Sequence, residues 1–242
     1  MRTRMLLIAV AITATAVSLA PSALARQATS YKVTVENLTS GQPLTPPVAA
    51  THRGKNEIFR VGDVASFGVK EIAENGNNAP LLDALAGSED VSDSAEAPGG
   101  PLVPAGTPGS ASFDDVTTFT LQAHRGAGRL SLASMLICTN DGFAGVNSLK
   151  LPKKVGDTTM ALTAGYDAGS EVNNEAFADI VPPCQSLISG TVSEPGAGSS
   201  NPALREGGVI RHHPNIAGGA DLVPAIHGWT DPVARITVEA IR

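Results

Sequence analysis

The residues best suited to chemistry are acids and amides set in tight turns. Ser131 to Gly145 reads SLASMLICTNDGFAG, a strand-like run that breaks into Thr139-Asn140-Asp141-Gly142. Gly165 to Glu175 reads GYDAGSEVNNE and carries Asp167, Glu171 and Glu175. Both segments put carboxylates into glycine-containing turns directly after strands. If those strands are neighbours, the turns meet at one end of a sheet, and Asp141, Asp167 and Glu171 can share one ion. Calcium fits such donors, since it takes about six to eight oxygen ligands. Three converged acids without a cation would repel one another. Asp-Gly, Asn-Asp and Asn-Asn are also ordinary turn formers, and residue types alone leave that plainer reading open. The twelve-residue EF-hand spacing is absent. Glu175 lies beyond the acidic turn and is expected to face solvent.

Other chemistry has weaker support. His52, His212-His213 and His227 follow no HExxH or similar spacing, so surface or hydrogen-bonding roles are expected. No GxSxG elbow presents a serine to a base. Asp221 and Asp231 flank Trp229 in a way that resembles a sugar site, but a core tryptophan beside turn acids is the simpler reading. No catalytic residue is assigned. Glu175 and His213 are the only plausible bases for the alternative of a metal-dependent hydrolase. Asn37-Leu38-Thr39 matches a glycosylation sequon and is read as a strand end.

The elements that must position these residues are mainly strands. Tyr31 to Glu36 alternates apolar and polar residues, and so does Ala234 to Ala240, the period of a half-buried strand. Between them lie Thr118 to Leu121, Arg129 to Ile137, Ser148 to Leu151, Thr159 to Thr163 and Gly208 to Arg211. Gly, Pro, Asn and Asp separate these runs, which points to an all-β antiparallel sandwich with long loops. Asp63 to Glu74 breaks the pattern. Val64, Phe67, Ile72 and Ala73 give it a helical face, with a start at Gly62-Asp63 and an end at the left-handed Asn75-Gly76. Pro80 to Ala86 can add a further turn, so one short helix is expected on the sandwich. Gly87 to Ser112 and Ser193 to Pro202 read as loops. With 4% aromatic residues, the core must rest on Val, Ile, Leu and Ala.

The N-terminus points to export. Arg2 and Arg4 precede an uncharged stretch from Met5 to Ala20, and Ala23 and Ala25 stand where signal peptidases read. The stretch is shorter than the roughly 20 apolar residues that span a bilayer. Residues 1–25 are therefore a predicted signal peptide, and cleavage leaves residues 26–242 as one domain. The leader has two arginines and no acid, so the formal charge moves from −6 to −8 on cleavage. An acidic chain without a Lys/Arg run has no footprint for nucleic acid. No later segment is apolar enough to cross a membrane. Cys138 and Cys184, in an oxidising compartment, form a disulfide on this reading rather than remaining two buried thiols.

Several of these segments together resemble a bacterial spondin-domain protein, related to the N-terminal domain of the spondins of animal extracellular matrix. They are YKVTVENLTSGQPLTPP at Tyr31 to Pro47, His52, Ala73-Glu74-Asn75-Gly76, LSLASML at Leu130 to Leu136 and TNDGFAG at Thr139 to Gly145. YDAGSEVNNE at Tyr166 to Glu175 and GGVIRHHP at Gly207 to Pro214 complete the set. The resemblance implies an antiparallel sandwich of about eight strands, similar to calcium-dependent membrane-binding modules. It also implies one calcium ion on Asp141, Asp167 and Glu171, the last being Asp in the animal motif. The function it implies is a non-enzymatic module, secreted or held in the periplasm or cell envelope, for adhesion to an extracellular protein or glycan. The alternatives are the hydrolase above and a purely structural envelope protein.

Overall fold

The computed structural model describes residues 28–54, 57–124 and 126–242. The expected signal peptide lies outside them. The strands are β1 (Thr29–Asn37), β2 (Val48–His52), β3 (Val91–Glu96), β4 (Val116–Ala123), β5 (Arg129–Met135), β6 (Gly142–Lys150), β7 (Thr158–Thr163), β8 (Gly165–Asp167), β9 (Arg211–His212) and β10 (Ala234–Ala240). They form two antiparallel sheets, ordered β4-β1-β10-β7 and β3-β2-β5-β6-β8-β9. Four helices accompany them: α1 (Phe67–Asn75), α2 (Ala79–Ala86), α3 (Pro183–Ile188) and α4 (Pro224–His227).

The four-stranded sheet follows directly from alternation. Val33 and Val35 of β1 are buried opposite Val238 and Ile236 of β10. Their outward neighbours pair across the same strands, Lys32 with Glu239 and Glu36 with Arg235 at 2.7 Å. Such exposed pairs fix register more than they add stability. Asn37 ends β1 as expected, its side-chain amide donating to the carbonyls of Gln42 and Leu102 at 2.7 and 2.9 Å.

The six-stranded sheet is covered on both faces. Leu130 and Leu132 of β5 pack toward the other sheet with Val33, Ile236 and Val238. Ala133 and Met135 point the opposite way, into a second core with Val69, Ile72, Leu81, Leu85 and Leu187 from α1, α2 and α3. The result is three layers: sheet, sheet, helices. Gly68 lets α1 approach α2, because a Cβ there would lie 2.8 Å from Leu81 Cα.

The antiparallel sandwich is borne out, with ten strands among the described residues where about eight were expected. Three expectations are corrected. The loop expected at Gly87 to Ser112 contains β3, which pairs along β2. The single expected helix is four, and α1 begins at Phe67 rather than at Gly62-Asp63. Ser66 is its cap, with Oγ accepting from Val69 N at 3.3 Å. Val64 and Phe67 are therefore outside the buried face and exposed. Gly76 does end α1 in the left-handed conformation, with φ 63°. Ser193 to Pro202 holds no strand, as expected for a loop.

Candidate metal centre

The two acidic turns meet because β6 and β8 are neighbours, with Gly142 opposite Asp167 and Phe143 opposite Tyr166. Phe59 fixes this pair from outside, its ring 4.9 Å from Phe143 and 5.0 Å from Tyr166. The β5–β6 turn is built tightly. Thr139 Oγ1 donates to Leu136 O and accepts from Gly142 N. Buried Gln42 brackets Cys138, donating to its carbonyl at 3.1 Å and accepting from its N–H at 3.0 Å. Cys138 is bonded to Cys184, so the disulfide reading holds and the turn is tied to α3.

Asp141 is fully buried at the head of this turn. Its Oδ2 accepts from the N–H groups of Ser170 and Glu171, at 2.7 and 2.9 Å, and from Ser170 Oγ at 3.2 Å. Its Oδ1 is buried without a hydrogen-bond partner among the described residues. Burial first, and the Asp167 charge second, push the Asp141 carboxyl up to about 7. Asp167 is also buried. Its Oδ1 accepts from Gly169 N, and its Oδ2 accepts from Asn173 and from Arg211 Nη2 at 3.2 Å. Gly169 can turn this loop because its φ is +67°, and a Cβ there would lie 2.6 Å from Val209 N.

Glu171 is near this pair but turned away from it. Its Oε1 accepts from Asn201 N at 2.7 Å, and it lines a cleft with Lys70, Glu74 and Arg205. Burial, then the charges of Glu74 and Asp141, push its carboxyl up to about 7. Among the described residues, no three acid, histidine or cysteine side chains already form a metal-ligating cluster. The structure thus brings Asp141 and Asp167 together and leaves Glu171 at their edge. The donors are all hard oxygens, and the unpartnered Oδ1 of Asp141 beside the charge of Asp167 fits a hard cation.

Glu175 is not at the surface, as expected from sequence, but buried. It has φ 58°, and its carboxylate accepts from the N–H groups of Ala217, Gly218 and Gly219 at 2.6 to 2.7 Å. It holds the following loop in place. Asn140 ties that turn to the Asp141 turn, accepting from Glu175 N at 3.2 Å and donating to Asn174 at 3.0 Å. The sequence reading missed Gln42, Asn140 and Arg211 as positioning residues. An Asn before Asp141 and an Arg after the GGVI run were the available signals.

The histidines are dispersed. His52 bonds Ser131 Oγ at 2.8 Å, and His227 Nδ1 accepts from Val223 N at 2.9 Å. His213 Nδ1 accepts from Asn215 N at 3.0 Å, and burial pulls the ring down to about 4. Its ring lies 5.0 Å from Trp229, which packs against both cores. Asp221 and Asp231 accept backbone N–H groups of Phe177 and Gly165, as turn acids do.

No curated protein matches the chain. The family model described as Spondin_N matches residues 39–182, a span that takes in both acidic turns and Cys138. That span is more than half of the 242 residues, and the chain belongs to the Spondin_N family.

Proposed function

We propose that the chain is a secreted, non-enzymatic adhesion module in which one calcium ion orders the turn end of the sandwich. Asp141 and Asp167 would hold the ion, and Glu171 would join through a rotation of its longer side chain. The supporting observation is the buried, unpartnered Oδ1 of Asp141, next to a second buried carboxylate. Arg211 offsets one of the two negative charges, and calcium would supply the positive charge still missing. A partner extracellular protein or glycan would meet the surface that the turns present. The candidate bases support the absence of catalysis: the Glu175 carboxylate is saturated by three N–H groups, and His213 is kept neutral.

Calorimetric titration of metal-free protein with calcium tests this. One site is expected, with Asp141→Asn and Asp167→Asn weakening it. At a hundredfold excess over the dissociation constant, the ion should add about 2.7 kcal/mol of stability. An identical melting temperature in calcium and in metal-free buffer would overturn the reading.

A further inference from the structure

At the opposite end of the sheet from Asp141, the fold gathers positive charge that no run of the sequence announces. Arg129 opens β5, Lys150 closes β6, and the two are register partners. Together with Lys153 and His124 they line a cleft of about 670 Å³, and among the described residues no carboxylate lines it. Among the described residues, neither Lys150 nor Lys153 has an ion-pair partner. Arg129 donates one bond, from Nη1 to Ser148 O at 2.9 Å. Glu89 and Asp90 lie with Arg53 in a smaller adjoining cleft. In a chain of formal charge −6, three uncompensated cations around one cleft make this end the one that attracts polyanions.

The floor of the cleft narrows the ligand class. Ala127, Leu151 and Pro152 make it apolar, which suits the face of a sugar ring and offers nothing to a bare inorganic anion. Stacking of nucleic-acid bases calls for exposed aromatic rings. Tyr31, the aromatic residue lining the cleft, is buried with its hydroxyl donating to Pro152 O at 3.2 Å.

We propose that this cleft binds an acidic polysaccharide, pairing its sulfate or carboxylate groups with Arg129, Lys150 and Lys153 over the Ala127–Leu151–Pro152 floor. The proposal rests on the adhesion reading above in that it names the ligand class, and it does not depend on the cation.

The test measures binding of the disulfide-bonded protein to dextran sulfate, neutral dextran, sodium sulfate and a single-stranded oligonucleotide. Dextran sulfate should bind, less tightly as salt rises, and neutral dextran should not. Lys150→Glu/Lys153→Glu should weaken binding by about tenfold or more; both positions are exposed, so the fold should be kept. Arg60→Glu/Arg205→Glu has the same net charge, lies at the other end, and should bind as the parent does. Asp141→Asn should also bind dextran sulfate normally, so a failed cation site would be told apart from a failed cleft. Unchanged binding by the Lys150/Lys153 variant would overturn the proposal. So would displacement by sodium sulfate at equal sulfate concentration, or equally tight binding of the oligonucleotide.

Discussion

In metal-free buffer, Asp141 should make the protein less stable as the pH rises from about 5 to about 8, against the gain that buried His213, its ring lowered to about 4, contributes up to about pH 6.5. The cause is Asp141, whose carboxyl is moved from 3.8 to about 7 by burial and by Asp167. Between those values the unfolded chain has released this proton and the folded protein still holds it. The folded state then binds more protons, so stability falls with rising pH until the folded group ionises. The penalty is absent below the unfolded value and complete above the folded one. Fully expressed, the displacement corresponds to about 4 kcal/mol. Relaxation and water entry reduce this to roughly half. Glu171, also pushed to about 7, acts in the same direction.

Asp141→Asn should remove most of this dependence, because an amide oxygen can still accept from Ser170 N and Glu171 N without a charge. The variant should therefore be more stable than the parent at about pH 8 without metal, by about 2 kcal/mol, and less stable with calcium. Urea unfolding at several pH values, in metal-free buffer and in calcium, reads both effects. The histidine contributions cancel in the difference between the two proteins, so an Asp141→Asn variant whose metal-free stability relative to the parent does not rise across this range would refute the reasoning.

Further expectations follow from named contacts. Glu175→Gln should cost about 2–3 kcal/mol, because its new amide N–H₂ would face a backbone N–H in a buried loop; thermal denaturation should show the loss, and a change under about 0.5 kcal/mol would free loop 217–219 from this role. Alkylation without reduction should leave the mass unchanged, and Cys138→Ala/Cys184→Ala should lose about 4 kcal/mol in the chain-entropy account for a separation of 46 residues. Phe67→Ser should change stability by no more than about 0.5 kcal/mol, whereas Ile72→Ala, on the same helix but fully buried, should cost about 2–5 kcal/mol.

The strands that could be read from sequence are those with one face in water. β1 and β10 alternate because their outer side chains are solvated. β2 does not alternate, because the other sheet covers one of its faces and helices cover the other, and all five residues are buried. β3 (VSDSAE) is mostly polar and does not announce a strand; it takes that form by pairing along β2. The end of α1 was legible because Gly76 needs a left-handed backbone; its start was not, since Ser66, Gly62 and Asp63 all offer caps. At the site, the Asp141–Asp167 approach followed from two strands that each run into an acidic turn. The orientation of Glu171 and the burial of Glu175 could not be read, because distant loops set them: Asn201 for the first and residues 217–219 for the second.

The place of β1 also governs how the molecule can be made. Its two neighbours are β4 and β10, and Glu36 and Arg235 meet across 199 residues of chain. Synthesis delivers Glu36 199 residues before Arg235, so the four-stranded sheet cannot close until β10 has been made. Non-local pairing of this kind slows folding. Until β10 arrives, β1 and β7 keep unpaired edges and the inner face of the sheet stays open, a surface prone to association. Fragments that stop before Ala234 should therefore be recovered as aggregates rather than as smaller folded domains. The completed sheet also ties Ser30 to Arg242 and Ile241, so anything attached at either end would emerge from the same corner, away from the acidic turns.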